Sequence, residues 1–275
     1  MKVSICIAVY NSENTIRQTL TSIQNQTHQD FEVIIVDDHS TDNTANIVMN
    51  EFCIRDDRFK LYVNCTVEKY QDAHNLSYEY ATGEILFRVD GDDILMPDYL
   101  EYHINFFNEH PDIDAFSTSM IRMKYENEIC VPLTAEEDAF WLESQTEEER
   151  NYFNEHPEIS WCGNTMIWSN PSSSLRKTFY DKYHPKFISY GFGDYIFWWD
   201  VISWGAKLYK SNVAKSYHCD RTDSVAKDKN FYFIPWTLSV QLCDIKIRAF
   251  KYYGYTDLIE KTLIEKEDYL KKLNG

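Results

Sequence analysis

The sequence predicts an α/β protein built on a parallel sheet, and three observations predict it. Met1 to Tyr10 is an apolar run that stops at the turn cluster Asn11-Ser12-Glu13-Asn14. Phe31-Glu32-Val33-Ile34-Ile35-Val36 is a second such run, ended by Asp37-Asp38-His39-Ser40. Between them Ile16, Leu20 and Ile23 recur at i, i+4 and i+7, the inner face of a helix. Strand, helix and strand, with nearly all-apolar strands, make a βαβ unit covered on both faces. Both strands then deliver polar residues to one carboxyl edge, where open α/β sheets bind ligands.

The remaining elements follow in order. Asp42 to Phe52 reads as a helix with Asp42 near its start, and Phe59 to Val63 as a third strand. Ala73, Leu76 and Tyr80 put a helical stripe on residues 71–81, which Thr82-Gly83 closes. A central strand over 84–89 is followed by an acidic loop. Pro97 suits the first turn of a helix that runs to Glu109 and stops before Pro111, with Asp98 and Glu101 near its positive end. Residues 113–133 alternate as a β-hairpin around Glu126-Asn127, and the acidic stretch 136–158 reads as a surface helix. From Pro235 onward two helices are expected, over 236–253 and 256–272, separated by Gly254. The pentapeptide Phe107-Asn108-Glu109-His110-Pro111 recurs as Phe153-Asn154-Glu155-His156-Pro157, which reads as two similar helix exits rather than a repeat unit.

Composition sets limits. At 275 residues, 44% hydrophobic and 26% charged, the chain can bury one large core with a small appendage. We expect a main domain over 1–229, in two halves, 1–115 and 116–229, and a helical extension over 230–275. A net charge of −17 argues against a nucleic-acid surface, which needs basic patches to neutralise phosphates. No apolar run approaches the roughly 20 residues that cross a bilayer. The seven cysteines form no close metal-type pair, and with no signal peptide visible they read as reduced cytosolic thiols.

Arg88-Val89-Asp90-Gly91-Asp92-Asp93 is the most informative segment. Three carboxylates crowd into four positions at the end of a buried strand. Such groups repel one another unless a cation shares them, and Mg²⁺ and Mn²⁺ prefer oxygen ligands. A cation held there would in turn bind a diphosphate, which an acidic protein needs some cation to hold.

Taken together, these segments resemble the inverting family-2 glycosyltransferases, whose nucleotide-sugar-binding fold is called GT-A. Ser4-Ile5-Cys6-Ile7-Ala8-Val9-Tyr10-Asn11 is similar to the family's opening strand and Tyr-Asn turn. Gln24-Asn25-Gln26-Thr27 and Phe31 to Asp42 follow its pattern, and Asp90-Gly91-Asp92-Asp93 with Met96-Pro97-Asp98 resembles its metal-binding DxD motif. The resemblance is strong over 1–115, patchy over 160–225 and absent from the tail. It implies a mostly parallel central sheet flanked by helices, and metal-dependent transfer of a sugar from a nucleotide-sugar donor to a hydroxyl acceptor, with inversion. The acceptor would be a saccharide or a lipid-linked saccharide in cell-surface polysaccharide or glycan synthesis.

Residue by residue, the resemblance assigns Mn²⁺ or Mg²⁺ to Asp92 and the ribose or sugar to Asp90. Asp93 is either a second participant or a helix-initiating acid. Asp38 would accept the uracil N3–H while Tyr10 packs on the base, which favours a UDP-linked donor; Asp37 lies nearer the ribose. Ala8 stands where the family has Pro or Thr, at the edge of the nucleotide pocket. His74 stands where the family shows Arg; it either contacts the donor in a pH-dependent way or is an ordinary surface histidine.

The acceptor hydroxyl needs a base. Tyr190-Gly191-Phe192-Gly193-Asp194-Tyr195 is the best match to the family's Gly-x-x-Glu-Asp, with Gly193 in place of Glu, so that Asp194 is the candidate; Asp200 is the second choice, and an N-cap role for Asp194 is the plainer one. Trp198, Trp199 and Trp204 stack on sugars or fill the core. The polar stretch Asn164 to Ser174, including Asn170 and Ser172, is acceptor-loop material. Tyr217 to Val225 falls where the family carries a flexible loop over the diphosphate, so that His218 is a further metal candidate and Arg221 a phosphate contact. Lys246, Arg248 and Lys251, among aromatic residues, would rest on an anionic membrane, at the inner face of the cell membrane, or pack on the main domain or a second copy. Two alternatives remain: a nucleotide-sugar-binding protein without turnover, and a sugar-phosphate nucleotidyltransferase. The latter usually needs a Gly-rich basic loop after the first strand, which Tyr10-Asn11-Ser12-Glu13 is not.

Overall fold

Two strands that are apolar almost throughout can only be central, and they are: every residue of β1 (Val3–Val9) and β2 (Phe31–Asp37) is buried. The computed structural model describes residues 1–64, 71–126, 129–133, 172–187, 193–220 and 236–274. Between β1 and β2 runs α1 (Ile16–Gln24), which buries Ile16, Thr19, Leu20 and Ile23. A short α2 (Thr44–Ile47) runs on as a π-helical turn over Val48–Cys53 into β3 (Phe59–Val63). Then come α3 (Gln71–Tyr80), β4 (Ile85–Arg88), the two-residue β5 (Ile94–Leu95) and α4 (Tyr99–Glu109).

The second half comprises β6 (Ala115–Glu126), β7 (Ile129–Pro132), β8 (Ser173–Arg176), α5 (Lys177–Tyr183), α6 (Gly193–Ser203), β9 (Leu208–Asp220), α7 (Trp236–Tyr253) and α8 (Thr256–Asn274). All described strands join one nine-stranded sheet of order β3-β2-β1-β4-β8-β6-β9-β5, with β7 on β6. The first four are mutually parallel; β8 enters antiparallel to both β4 and β6, and β9 runs parallel to β6. The first half thus carries the expected parallel sheet and the second half mixes directions.

Two cores sandwich the sheet. Phe87 and Phe116 face α1 and α4, whereas Leu86, Ala115 and Leu175 face α5, α6 and α7. Trp198 and Trp199 are core residues, while Trp204 is 37% exposed. Two basic side chains of α7, Lys246 and Arg248, pack against α6 and its end, while Lys251 is exposed. Arg248 pairs with Asp200 and covers the Trp204 ring at 4.0 Å, and Lys246 lies 5.8 Å from the Trp199 ring. Leu242, Ala249 and Phe250 join the α6 core, so α7 packs on the main domain as one of its expected alternatives had it. No described helix is long and apolar enough to cross a membrane.

Several expectations need correction. Gly83 does not close α3 with a left-handed residue; only Gly205 and Gly254 have positive φ among the described glycines. It serves close approach instead, since a Cβ there would lie 2.5 Å from the Val3 carbonyl carbon. Ser173 and Ser174, expected in a polar loop, form β8 in mid-sheet, where Ser174 Oγ donates to the Phe116 carbonyl at 3.2 Å. Tyr217 and His218, expected in a flexible loop, lie on β9. Cys219 is disulfide-bonded while Cys6, Cys53 and Cys243 are free, so the seven thiols are not all reduced; a partner distant in sequence leaves no spacing signature. The hairpin turn at 127–128 and the expected helix over 136–158 lie outside the described residues.

Candidate active site

The parallel register brings the ends of β1, β2 and β4 to one edge, as the βαβ pattern requires. There the β1 turn and the β2 turn are stitched together. Asn11, at φ 48°, donates its N–H to Ser40 Oγ at 2.9 Å and accepts from the Thr41 N–H at 2.8 Å through its side chain. Ser12 N–H reaches Thr44 Oγ1 at 2.7 Å and Glu13 N–H reaches Asp42 at 3.0 Å. Left-handed backbone suits Asn better than most residues, because its amide can bond locally. These bonds leave the Tyr10 side chain 44% exposed at the rim.

Asp38 lies beside this rim. Its Oδ1 accepts from Asn64 Nδ2 at 2.8 Å, and its N–H donates to the Val9 carbonyl at 2.8 Å. Its side chain is 13% exposed, so the carboxylate is oriented yet reachable. Asp37 instead turns inward and accepts from Ser40, with its pKa raised by burial. Ala8 is fully buried with Ile34, Val36 and Ala73 beneath α3, a core position.

The acidic loop approaches the first turn closely. Thr15 Oγ1 donates to the Gly91 carbonyl at 2.8 Å, and a Cβ at Gly91 would lie 3.1 Å from Val9. Any larger residue at Gly91 would require the Val9 and Ser12 side chains to give way by a few tenths of an ångström. Asp93 is fully buried and meets His218 Nδ1 at 2.9 Å. Burial, Asp92 and Asp90 all raise the Asp93 pKa; burial would lower that of His218, but the three carboxylates outweigh it and raise it. Burial first, then the neighbouring carboxylates, draws Asp93 toward protonation, and the carboxylates draw His218 the same way; their negative charge also favours a cation. Among the described residues no three ligands converge on one point, although three carboxylates and an imidazole are chemically suited to a hard divalent ion.

Arg88, which the sequence analysis did not single out, ties the site together. It is 7% exposed at the end of β4. Its guanidinium pairs with Asp194 at the start of α6 and with Asp90 at 3.3 Å, and lies 4.9 Å from the Phe187 ring centroid. Asp194 is 32% exposed; burial raises its pKa, Arg88 opposes that, and Asp90 adds to the rise. A carboxylate that is oriented, reachable and shifted up is suited to accept a proton. A Cβ at Gly193 would make only an ordinary 3.8 Å contact with Phe187, so packing does not demand glycine there.

Asp200 lies on α6 as well but is committed to Arg248. His74 is 2% exposed, not a surface histidine, and packs 5.2 Å from the Phe187 ring; burial first, then Arg88, holds its pKa well below the usual range. Ser172 is buried, its carbonyl accepting from the Thr118 N–H at 2.8 Å. Asn170 and Arg221 lie outside the described residues. The structure thus brings Asp38, Tyr10, Asp90, Asp93, His218 and Asp194 to one edge of the sheet. Arg88 and the neutral His74 lie beneath them.

The chain is similar to known proteins in sequence and in fold. The profile described as Glycosyl transferase family 2 matches residues 4–180. Over 120 residues the chain is 34% identical to the protein EpsE of Bacillus subtilis, covering 44% of this chain and 43% of that protein. Over 103 residues it is 37% identical to the UDP-Glc:alpha-D-GlcNAc-diphosphoundecaprenol beta-1,3-glucosyltransferase WfgD of Escherichia coli, covering 38% of this chain and 40% of that one. In both cases the match spans less than half of the relative's length. Among solved structures, S. aureus TarS 1-349 in complex with UDP-GlcNAc superposes with a TM-score of 0.66 at 21% identity, over 89% of this chain and 66% of that one. The mannosyltransferase PcManGT from Pyrobaculum calidifontis, in complex with GDP-Man and Mn²⁺, gives 0.57 at 14% identity, over 91% and 63%. With the GT-A fold in place and more than half of its length matched by the family profile, the chain belongs to glycosyltransferase family 2.

Proposed function

We propose that this chain transfers a sugar from a UDP-linked donor to a hydroxyl of a saccharide or lipid-linked saccharide acceptor, inverting the anomeric carbon, in the synthesis of a cell-surface polysaccharide or glycan. The observation that carries this reading is the convergence of Asp194 and Asp90 on Arg88. It sets a candidate base beside the loop that would hold the leaving diphosphate. WfgD, whose name specifies a UDP-Glc donor and a diphosphoundecaprenol-linked acceptor, supports both substrate classes. The UDP-GlcNAc complex of TarS supports the donor class.

In this reading the Asp38 carboxylate accepts the uracil N3–H, a contact that cytosine, whose N3 is an acceptor, does not offer. Tyr10 packs on the base. Asp194 takes the proton of the acceptor hydroxyl as its oxygen bonds to the anomeric carbon and the bond from that carbon to the diphosphate breaks. With a single attack and no covalent enzyme intermediate, configuration inverts. Asp92, with His218 as a further candidate, would hold Mn²⁺ or Mg²⁺, which supplies Lewis-acid stabilisation of charge on the diphosphate. The Mn²⁺ complex of PcManGT supports that cofactor class. A cytoplasmic site of action, with peripheral contact at the inner face of the membrane, suits a lipid-linked acceptor.

The test is a panel of UDP-sugars with purified protein and Mn²⁺, reading UDP release with lipid-diphosphate saccharide acceptors. Asp194→Asn should lower transfer by about 10²–10⁴-fold while UDP still binds. A variant that transfers as fast as the parent contradicts the assignment of the base. A protein that binds donors without any turnover supports the binding-protein alternative.

A further inference from the structure

Residues 184–187 follow α5 without belonging to a helix or strand, so their backbone groups need partners other than a ladder's. Asn75 on α3 provides them at Phe187. Its Nδ2 donates to the Phe187 carbonyl at 3.0 Å, and its Oδ1 accepts from the Phe187 N–H at 3.0 Å. A side-chain amide holds a donor and an acceptor side by side, and so can match both polar groups of one residue as a neighbouring strand would. The clamp joins positions 112 residues apart. Lys186 adds an ion pair with Glu79 of the same helix at 2.7 Å, but both partners are exposed, and such pairs contribute little.

What the clamp holds is a buried ring. Phe187 lies parallel to the Phe197 ring of α6 at 4.2 Å, and meets Tyr78 and His74 of α3 at 5.5 and 5.2 Å. The Arg88 guanidinium stands 4.9 Å from its centroid, and that guanidinium holds Asp194. Phe197 and Asp194 are themselves neighbours on α6, one turn apart. A guanidinium packs its plane on aromatic rings, so the position of Phe187 decides where that of Arg88 rests. Contacts therefore run from Asn75 through Phe187 to Arg88 and to the first turn of α6, and both routes end at Asp194.

We propose that Asn75 is a positioning residue for Asp194: its two bonds to Phe187 hold the ring against which Arg88 and the first turn of α6 are aligned. The inference rests on the glycosyl-transfer reading for the role of Asp194 as base. The alignment itself exists whether or not a sugar is transferred. Arg88 and Asp90 at the end of β4 and Tyr78 on α3 act on Asp194 through their charge, with His74 behind Arg88. Asn75→Leu leaves all four in place, so a change in the proton affinity of Asp194 reports geometry and not a deleted charge.

The test is a carbon-13 NMR titration of the Asp194 carboxyl in the full chain, assigned by its loss in Asp194→Asn, with chelator present. Asn75→Leu, close in volume but without the amide, should raise the midpoint by about 0.5–1 pH unit, part of what removal of an opposite charge gives. Asn75→Ser is the milder variant should Asn75→Leu not fold, with the same direction expected. Where the UDP-sugar panel shows transfer, the acid limb of kcat/KM should move equally, with kcat down about tenfold or more and UDP affinity unchanged. Phe187→Leu should shift the midpoint the same way, and Asn75→Leu should add nothing on that background, because it acts through the ring. Ile104→Ala, in the core on the other face of the sheet, is a destabilising control and should leave the midpoint where it is. An unmoved midpoint in the Asn75 variants, additive shifts in the double variant, or an equal shift in Ile104→Ala would each overturn the proposal. A silent UDP-sugar panel beside a shifted midpoint would remove the catalytic reading and keep the positioning.

Discussion

The Arg88 guanidinium joins Asp194, the candidate base at the start of α6, to Asp90, the first acid of the loop after β4. The two carboxylates are thereby kept side by side at the cost of one buried cation. Their mutual repulsion, together with burial, raises the Asp194 pKa, and Arg88 works against both. Position and proton affinity of the base depend on the same side chain.

Arg88→Met should therefore move the acid limb of the kcat/KM profile upward. A base works only when deprotonated, so a higher pKa means that activity is lost at a higher pH on acidification. Loss of a close opposite charge shifts a carboxylate by about 1–3 pH units. Arg88→Lys, which keeps the charge but loses the fork, should shift it less. An unmoved acid limb in Arg88→Met would show that Asp194 is not the titrating base.

Acid stability should be governed in part by His103. It is fully buried between Tyr99, Phe87 and Phe116, and its Nδ1 is 2.7 Å from Ser174 Oγ. Ser174 donates to Phe116 O, so His103 donates its Nδ1–H to Ser174. Burial, reinforced by Lys215, lowers the His103 pKa to about 3. Between that value and the unfolded value near 6.5 the unfolded chain binds the proton and the folded chain does not. This stability is present above pH 6.5 and falls as the pH drops, by about 1–2 kcal/mol at pH 5. His103→Phe should flatten the slope of unfolding free energy over pH 5–7; an unchanged slope would contradict the assignment.

Gly83 should tolerate no side chain. A Cβ would meet the Val3 carbonyl carbon at 2.5 Å, Ser4 N at 2.6 Å and Ser4 Oγ at 2.8 Å. Ser4 Oγ accepts from the Gly83 N–H at 2.8 Å and donates to buried Glu32 at 2.7 Å, so the first strand cannot retreat without breaking that network. Gly83→Ala should destabilise the fold by about 1–3 kcal/mol, read as a lower denaturant midpoint. A midpoint equal to wild type would show that the backbones relax freely.

How much of this was legible depends on where each signal lies. The strands β1, β2 and β3 show themselves as apolar runs, and α4 as a periodic stripe between Pro97 and Pro111. β8 does not, because Ser173 and Ser174 are held in the sheet by hydrogen bonds to Ser117 Oγ and to the Phe116 carbonyl rather than by hydrophobicity. Arg88 reads in sequence as the tail of a strand; its partner Asp194 lies 106 residues away. Asp93 shows the limit from the other side. The sequence left it between a helix start and a metal role, and the structure buries it against His218, contributed by a strand where a flexible loop was expected. Local pattern predicts which residues reach the edge, and long-range pairing decides which of them meet.

The central claim is that this edge binds a uridine nucleotide through Asp38 and a divalent ion through the acidic loop. Calorimetric titration of wild type and Asp38→Ala with UDP and with GDP, each in Mn²⁺ and in chelator, tests it most directly. The account predicts that UDP binds wild type only with Mn²⁺, that GDP binds more weakly, and that Asp38→Ala loses about tenfold or more in UDP affinity. Equal UDP affinity in Asp38→Ala, or no binding of either nucleotide to folded wild-type protein, would contradict it.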